Sequence, residues 1–342
     1  MRLPTMPRLR LLPMLLSPIV FCLALAACGG GERSESDLDA PGAGAAAASG
    51  TEATAEAQAP SKPTSAAFIG EQQVWRDERK ANLTKPDGWT SLVGLHWLDP
   101  GPHYFGSEPD NGIRLAMGPG HFGMIDLKKN GSVRFVPERG TAFTLDDQPL
   151  KGATALRIDT DPVGPSKLGF DEGKGILTVI KRGDRYALRV KHSDAPTRSG
   201  FKDIPYWQAD AGWVVDSKFV AHPPGKTIAI ANIVGTTEQV PNPGYVEFER
   251  DGKSYRIEAL DEGGDELFLV FADRTNGHGS YGAGRFLDAP KPGIGGRVML
   301  DFNKSYNPPC AFTAFATCPL PPQENRLDLA ITAGEKAYAG AH

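Results

Sequence analysis

After residue 82 the chain shows almost no helical periodicity. Apolar residues come instead in short or alternating runs broken by Gly, Pro, Asn or Asp: Trp89–Trp97, Gly112–Ala116, Gly131–Phe135, Ala153–Ile158, Gly175–Lys181, Tyr186–Lys191, Gly212–Phe219, Thr227–Val234, Gly244–Glu249, Lys253–Ala259, Glu266–Ala272 and Gly296–Phe302. Runs of this length, separated by turn formers, read as strands of a sandwich or barrel. One segment differs. Ala66 to Asn82 spaces Phe68, Ile69, Val74 and Trp75 among Glu71, Arg76, Asp77 and Lys80, which predicts an amphipathic helix. The expected fold is mostly β: a two-part β-sandwich/barrel body preceded by one short amphipathic helix.

The polar stretch Ser193–Arg198 is the natural break in that body. It divides residues 66–192, the helix plus a first sandwich, from residues 193–342, a second β unit. About 275 residues follow the segment before the helix, enough for one large domain or two ordinary ones.

The front of the chain reads as an address. Arg2, Arg8 and Arg10 precede an apolar stretch from Leu11 to Ala24, and Leu25-Ala-Ala-Cys28 places small residues before a cysteine. This is the secretory pattern. The cysteine in that position resembles a lipobox, which implies cleavage of residues 1–27 and lipidation of Cys28. The apolar stretch is short and carries Pro13 and Pro18, whereas a membrane span needs about 20 apolar residues. Gly29, rather than aspartate, follows the cysteine, and by resemblance to bacterial lipoproteins this favours the outer membrane, facing the periplasm. Residues 28–65 are Gly, Ala, Ser, Glu, Thr and Pro with almost no large apolar side chain, the composition of a disordered tether. Random-coil scaling gives it a reach of roughly 30–40 Å. Loss of the signal lowers the 37 basic residues to 34 against 41 acids, so the formal net charge moves from −4 to −7. A mildly acidic body without a basic stripe does not point to nucleic acid. The expected partners are the membrane, through the lipid, and a small molecule or carbohydrate.

The C-terminal run concentrates the unusual chemistry. Asp301-Phe-Asn-Lys-Ser-Tyr-Asn-Pro-Pro-Cys310 is followed by Cys318-Pro-Leu-Pro-Pro and by Ala333-Gly-Glu-Lys336. Prolines fix φ and remove donors, and asparagines accept turn geometry, so this tail reads as a rigid polar loop system. Cys310 and Cys318 are the cysteines left after Cys22 and Cys28. In an oxidising compartment they predict a disulfide, worth roughly 2–3 kcal/mol for so short a loop. A zinc site is the rival and needs two further ligands. Asp301 and Asn303 alternate about Phe302 and would share one face of a strand, with Tyr306 and Asn307 in reach. Such a group could hold a sugar, a carboxylate or a cation, or pin the loop as a buried network. Glu335 with Asp301 would suit acid–base work or glycoside cleavage, although ion pairs of Glu335 with Arg285 or Lys336 compete. Upstream, Phe271-Ala-Asp-Arg-Thr-Asn-Gly-His-Gly-Ser-Tyr281-Gly-Ala-Gly-Arg-Phe286 ends an apolar strand in polar groups and glycines. It is either a ligand rim or a structural hairpin. GxSxG, HExxH and CxxC are absent, and the glycines lack the strand–GxGxxG–helix context of a dinucleotide site.

Two resemblances add to this. Phe105-Gly-Ser-Glu-Pro-Asp-Asn-Gly-Ile-Arg-Leu115 and Asp146-Asp-Gln-Pro149 resemble the strand-and-loop pattern of a forkhead-associated sandwich, without its phosphothreonine-reading residues. The wider set, comprising Trp75-Arg76, Gly88-Trp89, Leu92-Val-Gly-Leu-His-Trp97, Phe105-Gly, the Phe271–Phe286 block, Asp301-Phe-Asn303, Tyr306-Asn-Pro-Pro-Cys310, Cys318-Pro-Leu-Pro-Pro, Asn325 and Ala333-Gly-Glu-Lys336, resembles the bacterial and archaeal family catalogued as domain of unknown function 1684. That resemblance brings no catalytic role and no cofactor. It does imply relatives that look cytosolic, in which the two cysteines would not depend on an oxidising compartment. The candidate ligand-binding residues are Asp273, Thr275, Tyr281, Arg285, Asn303, Tyr306, Asn307 and Asn325, with Asp301 and Glu335 as candidate acid and base. Three readings stand: a small-ligand or carbohydrate binder, a hydrolase, and a structural envelope protein without a site.

Overall fold

The computed structural model describes residues 64–340. The signal, Cys28 and most of the tether lie outside the described residues. The described residues fall within one contact unit.

The helix spans Ala66–Leu83, one residue beyond the expectation. The Ser65 hydroxyl caps it by accepting from the Phe68 N–H at 3.1 Å. Its apolar residues do not define the docked face. Ile69 and Val74 are 50% and 59% exposed, while Gln72 is buried. Gln72, Arg76 and Arg79, on successive turns of one side, make the long-range bonds. These bonds reach residues 207, 301 and 335, so the helix sits on the second half of the chain and not on the sandwich that follows it in sequence.

The first part is a sandwich of two open sheets. One runs in the order Leu92–Leu98, Arg185–His192, Gly175–Arg182, Leu168–Phe170, Thr144–Leu145, Gln148–Pro149. The other runs Ile113–Arg114, Gly101–Gly106, Gly123–Leu127, Val133–Pro137, Thr154–Leu156. Alternate residues of Gly123–Leu127 are buried, as a strand with one face on a core requires. Between the sheets lie Phe105, Phe122, Phe135, Phe143 and Phe170. The Phe122 ring is 4.7 Å from that of Phe170 in an edge-on arrangement. Asp146 and Asp147, both with positive φ, make the two-residue turn between Thr144–Leu145 and Gln148–Pro149.

The second part has a four-stranded sheet in the order Lys253–Ala259, Gly244–Arg250, Val214–Ala221, Arg297–Asp301. Two hairpins accompany it, Thr227–Ala231 with Thr237–Pro241 and Glu266–Phe271 with Arg285–Pro290. The sheets stay open, so the barrel alternative gives way to sandwich-like layers. Arg285, expected in a loop rim, begins a strand. Phe248, Leu269, Phe271, Leu300, Phe302 and Ile331 are among the residues of its core.

The proline-rich tail wraps this core without forming strands. It proceeds through short 3-10 turns at Phe302–Lys304, Pro309–Ala311 and Gln323–Asn325, and through single bridges such as Phe286 with Tyr306 and Ala272 with Arg326. Asn307 to Thr313 is buried throughout. Gly334 has φ +79°, and a Cβ there would collide with the carbonyl of Ser305. Glycine therefore lets Ala333–Lys336 lie flat on the Phe302 turn.

Candidate functional site

Most of the polar residues singled out above converge under the tail, where they act as clamps. Arg285 and Asp273 form an ion pair at 2.7 Å with both side chains fully buried. The shorter remaining contacts of Arg285 are carbonyls of the tail, where Nη2 donates to Ile331 O at 2.8 Å and Nη1 to Ala333 O, and Nη2 also reaches Thr275 Oγ1 at 3.5 Å. Asp273 Oδ1 accepts from the N–H groups of Thr275 and Ile331. Burial pushes the Arg285 guanidinium below the usual arginine range, and Asp273 opposes that shift. Thr275 bonds Ser280 at 2.7 Å inside the same hairpin.

Each asparagine substitutes for a missing strand partner. Asn325 donates to the carbonyls of Glu258 and Val270 and accepts from the Glu258 N–H, which links Lys253–Ala259 to Glu266–Phe271. Asn303 exchanges bonds with the backbone of Asp210. Asn307 donates through Nδ2 to Lys336 O, and its N–H goes to Glu335 Oε2 at 2.7 Å. Asp301 and Asn303 do meet, but not across a strand face. The strand ends at Asp301, whose carboxylate caps the following turn by accepting from the Asn303 N–H at 3.1 Å.

Glu335 is wholly buried. Its Oε1 takes Arg79 Nε at 3.0 Å, and Arg79 also donates to Asn307 O at 2.9 Å. The rival partners Arg285 and Lys336 do not pair with the Glu335 carboxylate. Asp301 Oδ2 accepts from Gln72 at 2.7 Å. The two candidate catalytic acids thus hold the helix down.

The helix does not seal completely against the second half. A cavity of about 380 Å³ remains, lined by Trp75, Glu78, Arg79 and Asn82 of the helix, Trp89 after it, and Glu262, Phe268, Phe286, Asp288, Tyr306 and Pro309. Of the expected site residues only Tyr306 reaches it. Phe268, Phe286 and Tyr306 form a continuous ring wall, with centroids 4.8 Å and 5.7 Å apart, both edge-on. Tyr306 donates to Asp288 Oδ2 at 2.9 Å. The Asp288 and Glu262 carboxyls are both raised, chiefly by desolvation, with Asp288 adding to the effect on Glu262. Both side chains are nevertheless exposed to solvent. Water therefore screens the effect. Burial and Asp288 together push the Tyr306 phenol up, so it stays a donor.

A larger depression of about 780 Å³ lies on the first sandwich between Glu108, Pro119, His121 and Glu138. It has no wall of packed aromatic rings, so the smaller cavity is the better candidate. Sequence reasoning missed Glu262, in the loop before Glu266–Phe271, and Asp288, an outward residue within Arg285–Pro290, because neither carries a local pattern. Trp75 and Trp89 were read only as helix and strand residues.

Cys310 and Cys318 are buried free thiols, and the Cys310 N–H points at Cys318 Sγ at 3.1 Å. The Cys318 sulfur lowers the Cys310 thiol and is itself pushed up, while Tyr281 donates to Cys310 O at 3.2 Å. Among the described residues no three His, Cys, Asp or Glu side chains are grouped to hold a metal. No helix among them is long and apolar enough to cross a membrane.

The buried pair is open to a direct test. Arg285→Met should lower unfolding stability by about 3–5 kcal/mol, because it strands the Asp273 charge. Asp273→Asn should do the same, and the double variant should lose clearly less than the sum of the two. Simple additivity in chemical denaturation would show that the pair is not coupled.

Comparison with known proteins reaches part of the chain. The solution NMR structure of an uncharacterized protein from Haloarcula marismortui is similar to this chain at 29% identity, covering 41% of this chain and 78% of that one, with a TM-score of 0.35. No curated protein matches. A family described as "Protein of unknown function (DUF1684)" matches residues 199–336, the segment that carries Arg285, the asparagine clamps and the ring wall. Over that segment the chain is similar to the DUF1684 family.

Proposed function

We propose that this is a lipid-anchored protein of the cell envelope, held at the outer membrane and facing the periplasm, that binds a small molecule in the cavity beneath its N-terminal helix. The cavity carries the reading. About 380 Å³ of space is walled by rings and edged by ionisable groups, which is the usual make-up of a small-molecule site. The anchoring part rests on the sequence pattern at Cys28.

Support for a hydrolase using Asp301 and Glu335 is weaker. Both Glu335 oxygens are engaged, by Arg79 and by the Asn307 N–H, and no oxygen is left free for a substrate. Asp301 is shared between Gln72 and the Asn303 turn. Groups that bridge two parts of a fold are poor proton shuttles, because moving their proton loosens the bridge.

Titration of the protein with panels of sugars, small acids and small amines should give at least one saturable rise in melting temperature, accompanied by a change in tryptophan emission from Trp75 or Trp89. A ligand at 100 times its Kd adds about 2.7 kcal/mol. Trp75→Ala should abolish the response. No response across all panels would favour a structural envelope protein.

The cysteines test the address. Cys28→Ser should move the protein from the membrane fraction to the soluble fraction, and unchanged membrane association would remove the anchor. In protein isolated from the envelope, we infer that Cys310 and Cys318 are joined. Because both are buried, thiol alkylation of the denatured protein should label them only after reduction, and labelling without reductant would exclude the bridge.

A further inference from the structure

We propose that the ligand of this cavity is an organic cation, a small molecule with an alkylated ammonium head. The inference rests on the cavity being a binding site and adds the ligand class. Its rings are Trp75, Trp89, Phe268, Phe286 and Tyr306, and its acids are Glu78, Glu262 and Asp288. Arg79 is the basic residue among the lining side chains, and its charge is already met by Glu335 at 3.0 Å and by Asn307 O at 2.9 Å. The free electrostatic character of the space is therefore negative.

Three ligand classes fit poorly. An anion would face three lining carboxylates, while Arg79, the lining cation, is already spent on Glu335 and Asn307 O. A bare metal ion takes several oxygen ligands in a compact shell, yet no such cluster exists among the described residues and the ring wall would contribute nothing. A neutral sugar needs donors as well as acceptors on its rim. Here the Tyr306 hydroxyl already donates to Asp288, which leaves the Asn82 amide and the Trp75 and Trp89 indole N–H groups as donors against three carboxylates that, ionised, only accept. An alkylated ammonium needs what is present: apolar ring surface for its methyl groups, ring faces for its charge, and carboxylates at the mouth.

The rings already attract cations from the protein itself. The Arg79 guanidinium lies 4.5 Å from the Tyr306 ring centre, and Arg189 and Lys191 each lie 5.6 Å from that of Trp89. Crowding by neighbouring protein also raises the Glu262 and Asp288 carboxyls, so a positive charge beside them would relieve a penalty that a neutral ligand would leave in place.

The discriminating experiment is calorimetric titration of the protein with choline and, separately, with 3,3-dimethyl-1-butanol, which has the same shape and no charge. Choline should bind saturably and change tryptophan emission, and the alcohol should bind at least about tenfold more weakly, within the range of a desolvated cation–π contact. Glu262→Gln combined with Asp288→Asn should weaken choline and leave the alcohol unchanged. Lowering the pH from neutral towards the raised carboxyl range should weaken choline, with Glu78, Arg79 and Tyr306 as the other titratable groups around it. Equal binding of the two probes, or preference for the alcohol or a sugar, overturns the cation proposal while the cavity remains a site. Absence of choline binding also overturns it, and absence of any response to any panel removes the binding reading as well.

Discussion

The buried Arg285–Asp273 pair sets the terms for the second half of this molecule. A tail rich in proline has few N–H groups to offer and cannot join a sheet along its length. Buried backbone must nevertheless find partners. Arg285 solves this for three points at once, because a rigid guanidinium fork can serve a carboxylate and two carbonyls without changing shape. Its full burial is tolerable because Asp273 neutralises it, and Asp273 in turn collects two N–H groups. The asparagines extend the same principle, each standing in for a strand neighbour.

This polar frame explains why a cavity survives. An apolar helix face would have packed against the tail at close range, as interiors generally do. Here the helix is held at a few points by Gln72, Arg76 and Arg79, and by Leu83 at its end against Ile204 and Phe312. Long polar side chains set the separation, and the ring wall of Phe268, Phe286 and Tyr306 is left facing open space. Glu335, deep below, fixes Arg79 and so fixes the roof.

The strands of the body were largely readable where they alternate or form apolar runs, as in Gly175–Arg182 and Lys253–Ala259. Gly101–Gly106 and Gly123–Leu127 were not, because each turns only one or two large apolar side chains to its buried face. The tail's rigidity and its gathering of Asp273, Arg285, Asn303, Asn307 and Glu335 were visible in composition. Their role was not, since the same residues would line a pocket or replace a sheet. Asp288 and Glu262 carried no local signal at all. Their meaning comes from rings that lie far off in sequence.

By itself the sequence determined the class of fold, the helix at its start, the lipoprotein-like pattern around Cys28, and the place where polar groups would be concentrated. These follow from local rules: periodicity, turn chemistry and composition. Only the tertiary structure decided that the helix rests on the second half, that the concentrated polar groups face inward as clamps, and that the open space lies beside them. Those outcomes depend on which distant side chains meet, and contact between Arg79 and Glu335, 256 positions apart, has no signature in either neighbourhood.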